Sequence, residues 1–86
     1  MPELYVYPNP AVDRFFIELT GIENATELQL SLYDLVGQEV FRKNEMAVFN
    51  GEPYPVDIPK SIAPGLYFIL ARNEEYRFVK RVVIGK

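Results

Sequence analysis

The chain has 86 residues with a formal charge of -3, no cysteine and no histidine. That size fits one domain, burying only about 60–65% of the surface its unfolded chain exposes, so stability rests on core packing without disulfide support. The missing residue types remove thiolate chemistry, zinc–thiolate sites and Ser-His or Cys-His nucleophile pairs, and the mild acidity argues against a nucleic-acid partner, which selects for a basic excess.

Seven prolines and five glycines interrupt the chain at short intervals, and no window sustains a helical apolar period. Period-two alternation is abundant instead. Near the start, Tyr7-Pro8-Asn9-Pro10-Ala11 ends or kinks an edge strand, because proline donates no ladder hydrogen bond. Next, Phe15, Ile17 and Leu19 share one strand face, as do Leu28, Leu30 and Leu32 further on. Asp34-Leu35-Val36-Gly37 reads as a tight hairpin turn with Gly37 left-handed. Asn50-Gly51-Glu52-Pro53 reads as a longer corner, and Tyr54, Val56 and Ile58 alternate after it. Pro64-Gly65 suits the centre of a type II turn. The run 66–71 is apolar on both faces, as in a strand buried on both sides or covered at one end. Arg72-Asn73-Glu74-Glu75 is a polar hairpin tip before a last strand rich in β-branched residues. The predicted strands are 4–7, 14–19, 27–33, 39–43, 54–58, 66–72 and 76–84. The fold class is all-β, an immunoglobulin-like antiparallel β-sandwich.

Catalytic and metal-binding patterns are nearly absent. The acidic residues are scattered rather than paired, and Ser31 and Ser61 lack nucleophile-elbow context. Asp13, Asp34 and Asp57 are oxygen donors of the kind calcium takes, but without loop-repeat spacing, and turn hydrogen bonding explains Asp13 and Asp34 better. No catalytic, cofactor-binding or metal-ligating residue is assigned, and the chain is not expected to be an enzyme. Asn24-Ala25-Thr26 matches a glycosylation sequon, a tripeptide common by chance. Tyr5, Tyr7, Tyr54, Tyr67 and Tyr76 allow a sugar-binding platform, but a small sandwich needs such rings at its core edge first. No apolar run reaches bilayer-spanning length, so direct membrane insertion is not expected.

Four of the nine basic residues, Arg77, Lys80, Arg81 and Lys86, lie in the last ten positions, where no acid stands. As a strand, this tail places Phe78, Lys80, Val82 and Ile84 on one side and Val79, Arg81 and Val83 on the other. Two readings fit. One is an ordinary terminal strand whose charges protect an edge from aggregation; the other is a recognition strand read by an acidic partner through β-augmentation. The terminal position and unbalanced charge also predict a tail that is mobile or swapped between chains, and an exposed edge strand leaves a dimer possible.

Four segments in this order carry a resemblance to a known family: Tyr7-Pro8-Asn9-Pro10-Ala11; the strand–turn–strand from Leu32 to Val40; Ile62-Ala63-Pro64-Gly65-Leu66-Tyr67-Phe68-Ile69; and Lys80-Arg81-Val82-Val83-Ile84-Gly85-Lys86. Together they resemble the type A C-terminal sorting domain of the type IX secretion system of Bacteroidetes. The resemblance implies that residues 1–86 are a single sorting domain, a fragment of a larger secreted protein. It implies passage through the periplasm and then an outer-membrane translocon with its shuttle proteins. Removal by a cell-surface sortase follows, leaving the cargo at the outer-membrane surface or outside the cell. The sorting signal would lie in Lys80, Arg81, Val82, Val83, Ile84, Gly85 and Lys86. Pro8, Asn9, Pro10, Gly37, Pro64, Gly65 and Tyr67 would be structural motif residues. An extracellular immunoglobulin-like module binding carbohydrate or protein is the alternative.

Overall fold

The structure, a computed structural model, describes residues 1–85. Seven strands follow in order: β1 Glu3–Tyr7, β2 Arg14–Thr20, β3 Thr26–Tyr33, β4 Glu39–Val48, β5 Tyr54–Asp57, β6 Gly65–Arg72 and β7 Arg77–Ile84. They form two antiparallel sheets, one ordered β1-β2-β5 and one ordered β4-β3-β6-β7. The β-sandwich expected from the alternation is therefore the fold.

Alternation sets the core. Phe15, Ile17 and Leu19 of β2 face Leu28, Leu30 and Leu32 of β3 across the interior, and all six are buried. Val56 on β5, Ile69 on β6 and Val82 and Ile84 on β7 join it. Fully burying one such side chain contributes about 1.5–3 kcal/mol against its ordering entropy.

Three local expectations change. The fourth strand extends five residues past Lys43 to Val48. Leu28 pairs with Met46 but Leu30 with Lys43, so two steps on β3 oppose three on β4, and Glu45 takes a φ of 56°. This bulge switches which parity faces inward, so Met46 and Val48 are buried although the polar run Lys43-Asn44-Glu45 looks like a strand end. In β6, only Tyr67, Ile69 and Ala71 are buried; Leu66, Phe68 and Leu70 are half-buried on the outer face. A two-layer sandwich covers one face of each sheet, so lateral neighbours alone shelter the second apolar row. Gly65 has a φ of 156° and opens β6, far from the roughly +80° of a type II turn centre. The Tyr67 hydroxyl instead secures this corner by donating to the Ala63 carbonyl at 2.5 Å.

The β3–β4 hairpin follows the expected chemistry. Gly37 N–H donates to the Asp34 carbonyl at 3.1 Å, and Asp34 Oδ1 accepts from the N–H groups of Val36 and Gln38 at 3.0 and 2.9 Å. Gly37 has a φ of 86°, where a Cβ is disfavoured, although the surrounding space is open. Gly37→Ala is expected to cost about 1–2 kcal/mol through backbone conformation alone, readable as a lower urea midpoint with an unchanged slope.

The five tyrosines do not form one platform. Tyr67 is buried, Tyr54 and Tyr76 lie against the core, and only Tyr5 and Tyr7 are exposed together on β1. The Tyr5 hydroxyl donates to Glu3, and that of Tyr7 donates to Glu18 at 2.7 Å. Nor do Asp13, Asp34 and Asp57 converge: Asp34 closes its turn, and Asp57 pairs with Arg14 at 2.6 Å.

Candidate functional site

The C-terminal strand lies at the edge of the four-stranded sheet. Its register against β6 is unbroken, from Gly65 opposite Ile84 to Arg72 opposite Arg77. The tail is therefore a regular strand of the chain's own sheet through Ile84, where its charge suggested a mobile segment. Val82 and Ile84 insert into the core at 0% and 1% exposure and hold it there. Lys80 shares their parity but stays exposed, while Arg77, Val79, Arg81 and Val83 point outward. Of the seven proposed signal residues, Lys80, Arg81 and Val83 are thus available on the surface and Val82 and Ile84 are structural; Lys86 lies outside the described residues.

The opening motif meets this strand. Ala11 forms a parallel bridge with Ile84: its N–H donates to the Val83 carbonyl and its carbonyl accepts from Gly85 N–H, both at 2.8 Å. Asn9 Oδ1 accepts from Val83 N–H at 2.9 Å, and Asn9 Nδ2 donates to the Arg81 carbonyl at 3.5 Å. The peptide bonds before Pro8 and Pro10 are both cis. Asn9 imitates a strand backbone with its side-chain amide, and Ala11, fully buried, continues it with its own. Residues 9–11 therefore clasp the last three positions of the described chain. A Cβ at Gly85 would sit 3.8 Å from the Pro10 ring, an ordinary contact, so packing alone does not require glycine there.

The remaining motif residues gather nearby or buttress the sheet. Pro64, Gly65 and Tyr67 border a shallow depression shared with Asp34, Leu35 and Val36 of the β3–β4 turn, and Gly65 pairs with Ile84. The clasp was not anticipated from the sequence. An asparagine held between two prolines is its one local signal, and nothing in the chain marks a partner more than seventy residues away.

Arg77, Lys80 and Arg81 form no ion pair among the described residues; elsewhere Arg14 and Arg42 are paired with Asp57 and Glu39, Arg72 donates to Gln29, and Lys43 lies over the Tyr54 ring. Hydrogen bonds from Ser31 and then Arg42 hold Glu39 below its ordinary value of 4.5. A carboxylate lowered in the folded state adds stability above its unfolded value and loses it as pH falls through the folded one. Wild type is therefore expected to exceed Glu39→Gln in urea midpoint at neutral pH, with the gap closing in acid below both values; a gap that persists unchanged there would contradict this.

Residues 5–85 match the family described as the Secretion system C-terminal sorting domain. The chain belongs to this family of type IX secretion sorting domains. The match begins within β1 and ends at the clasped Gly85, so it takes in all of the sandwich except the first two residues of β1, and both joined ends. An endo-acting ulvan lyase from Formosa agariphila is 28% identical over 83 residues, covering 95% of this chain and 15% of the relative's length. The chain thus spans about one-seventh of that curated relative. A sorting domain is an address and not itself a catalyst. It directs export to the cell surface or the extracellular space, engages the type IX machinery, and implies a source among the Bacteroidetes.

Proposed function

We propose that this sorting domain is the C-terminal part of a larger exported protein and that its last strand carries the signal. On this reading the domain folds in the periplasm, presents β7 to the outer-membrane translocon and its shuttle proteins, and is then removed by a cell-surface sortase. The observation that carries the reading is the form of β7: an ordered edge strand with exposed cationic residues that form no ion pair among the described residues, its end fastened by the family's opening motif. Lys80, Arg81 and Val83, with Gly85 and Lys86, would be read by the machinery. Val82, Ile84, Pro8, Asn9, Pro10, Gly37, Pro64, Gly65 and Tyr67 would hold the strand in presentable form.

Substitutions at exposed positions test this without dismantling the core. Lys80→Glu combined with Arg81→Glu is expected to leave the melting temperature within a few degrees of wild type while fused cargo accumulates in the periplasm. Normal export of the folded double variant would remove these side chains from the signal.

A further inference from the structure

The open part of the β7 edge is defined by the clasp. Backbone groups alternate sides along an antiparallel strand. The N–H and carbonyl of Val83 point away from β6, toward Asn9 and Ala11. Those of Arg77 and Val79, with the N–H of Arg81, therefore point the same way. β7 is the last strand of its sheet, so no strand of the described chain hydrogen-bonds to them, although β1 passes close to β7 across the sandwich edge. This row is about 13 Å long at the usual strand rise. Natural edges are blunted by proline, bulges, extreme shortness or charge; residues 77–81 carry only charge, in Arg77, Lys80 and Arg81, which repels like-charged edges and admits a partner of opposite sign.

We propose that residues 77–81 form a strand-addition site for an acidic partner protein, with carboxylates opposite Arg77 and Arg81 and an apolar side chain opposite Val79. The clasp sets the point where pairing stops. This rests on reading β7 as the sorting signal, and places its main footprint upstream of Lys86. Unpaired amides alternating with unpaired carbonyls call for a partner backbone that both accepts and donates; a phosphate or sulfate surface accepts only. Val79 is 56% exposed beside the half-buried outer-face residues Phe68 and Leu70, which gives the incoming strand an apolar neighbour. A second copy fits poorly, because antiparallel pairing centred on Val79 sets Arg77 of one copy against Arg81 of the other, and like charges directly opposite oppose pairing.

The test titrates the isotopically labelled 86-residue domain with a capped heptapeptide, Thr-Glu-Thr-Val-Thr-Glu-Thr, and with its Glu-to-Lys counterpart. The expected result is amide shift changes concentrated at Arg77, Val79 and Arg81, with about tenfold preference for the acidic peptide and reversal of that preference in Arg77→Glu/Arg81→Glu. Val79→Pro, which removes the central outward amide without touching the β6 ladder, should abolish the shifts. No change at these amides at millimolar peptide, or equal response to both peptides, would overturn the proposal. Export separates it from the reading beneath it. If the wild-type fusion is exported and the folded Arg77→Glu/Arg81→Glu fusion is exported equally well, this footprint is wrong and the signal reading stands; if the wild-type fusion itself stays in the periplasm, the signal reading has failed.

Discussion

Ending the chain after Arg81 is expected to abolish cooperative folding. The deletion removes Val82 and Ile84, both fully buried, together with their ladder pairing to Tyr67 and Gly65 and every bond of the clasp beyond Arg81. Two buried aliphatic side chains contribute about 1.5–3 kcal/mol each, and each lost backbone hydrogen bond about 0.5–1.5 kcal/mol more. The sum is on the order of 5 kcal/mol or above, against the 5–15 kcal/mol or so that separates native domains from unfolded chains. With 86 residues and no disulfide, this domain has little in reserve. Circular dichroism should show no thermal transition for the truncated chain where wild type melts sharply. A truncated domain that melts within a few degrees of wild type would mean that the end of β7 adds nothing to the core. A further consequence is practical: export lost on deleting residues 82–86 reflects unfolding as much as a missing signal, so substitutions at exposed positions are the cleaner probe.

Asn9→Ala is the second large effect. The side-chain amide is the main link from the opening motif to Val83 N–H and the Arg81 carbonyl, while Ala11 holds the next pair of backbone groups. Removing it forfeits one good hydrogen bond, one long one, and the ordering of residues 9–11 along the strand. The expected loss is about 1–2 kcal/mol, or roughly 5–15 °C in melting temperature for a domain of this size. Amide exchange at Val83 should accelerate more than exchange at Ile69 in the sheet interior. Asn9→Asp keeps an acceptor for Val83 N–H and gives up only the 3.5 Å bond, so it should fall between the two. Unaltered Val83 exchange in Asn9→Ala would show that the clasp does not hold the strand.

Much of this architecture is legible in the sequence because strands with one buried face write their register as alternation. Phe15, Ile17 and Leu19 share one strand face, as do Leu28, Leu30 and Leu32, and all six are buried. The Asp34–Gly37 turn was legible because its chemistry is local. The second half of β4 was hidden by the bulge at Glu45, since a single extra residue resets the parity on which pattern reading depends. Leu66, Phe68 and Leu70 misled because an apolar residue half-sheltered by in-plane neighbours looks the same in sequence as one that is fully covered. At the tail, the run of charge points to mobility, whereas the two buried side chains Val82 and Ile84 in an unbroken ladder decide order in the fold. The motifs at the two ends were each visible, but their junction depends on Asn9 and Val83, 74 positions apart, meeting through one side chain.

The central claim, that this domain is sufficient to direct export, is tested most directly by placing residues 1–86 at the C-terminus of a fluorescent protein bearing a signal peptide, in a host with a working type IX system. The account predicts fluorescence at the cell surface or in the medium for this fusion and periplasmic retention for the same cargo without the domain. Periplasmic retention of a correctly folded fusion would contradict it.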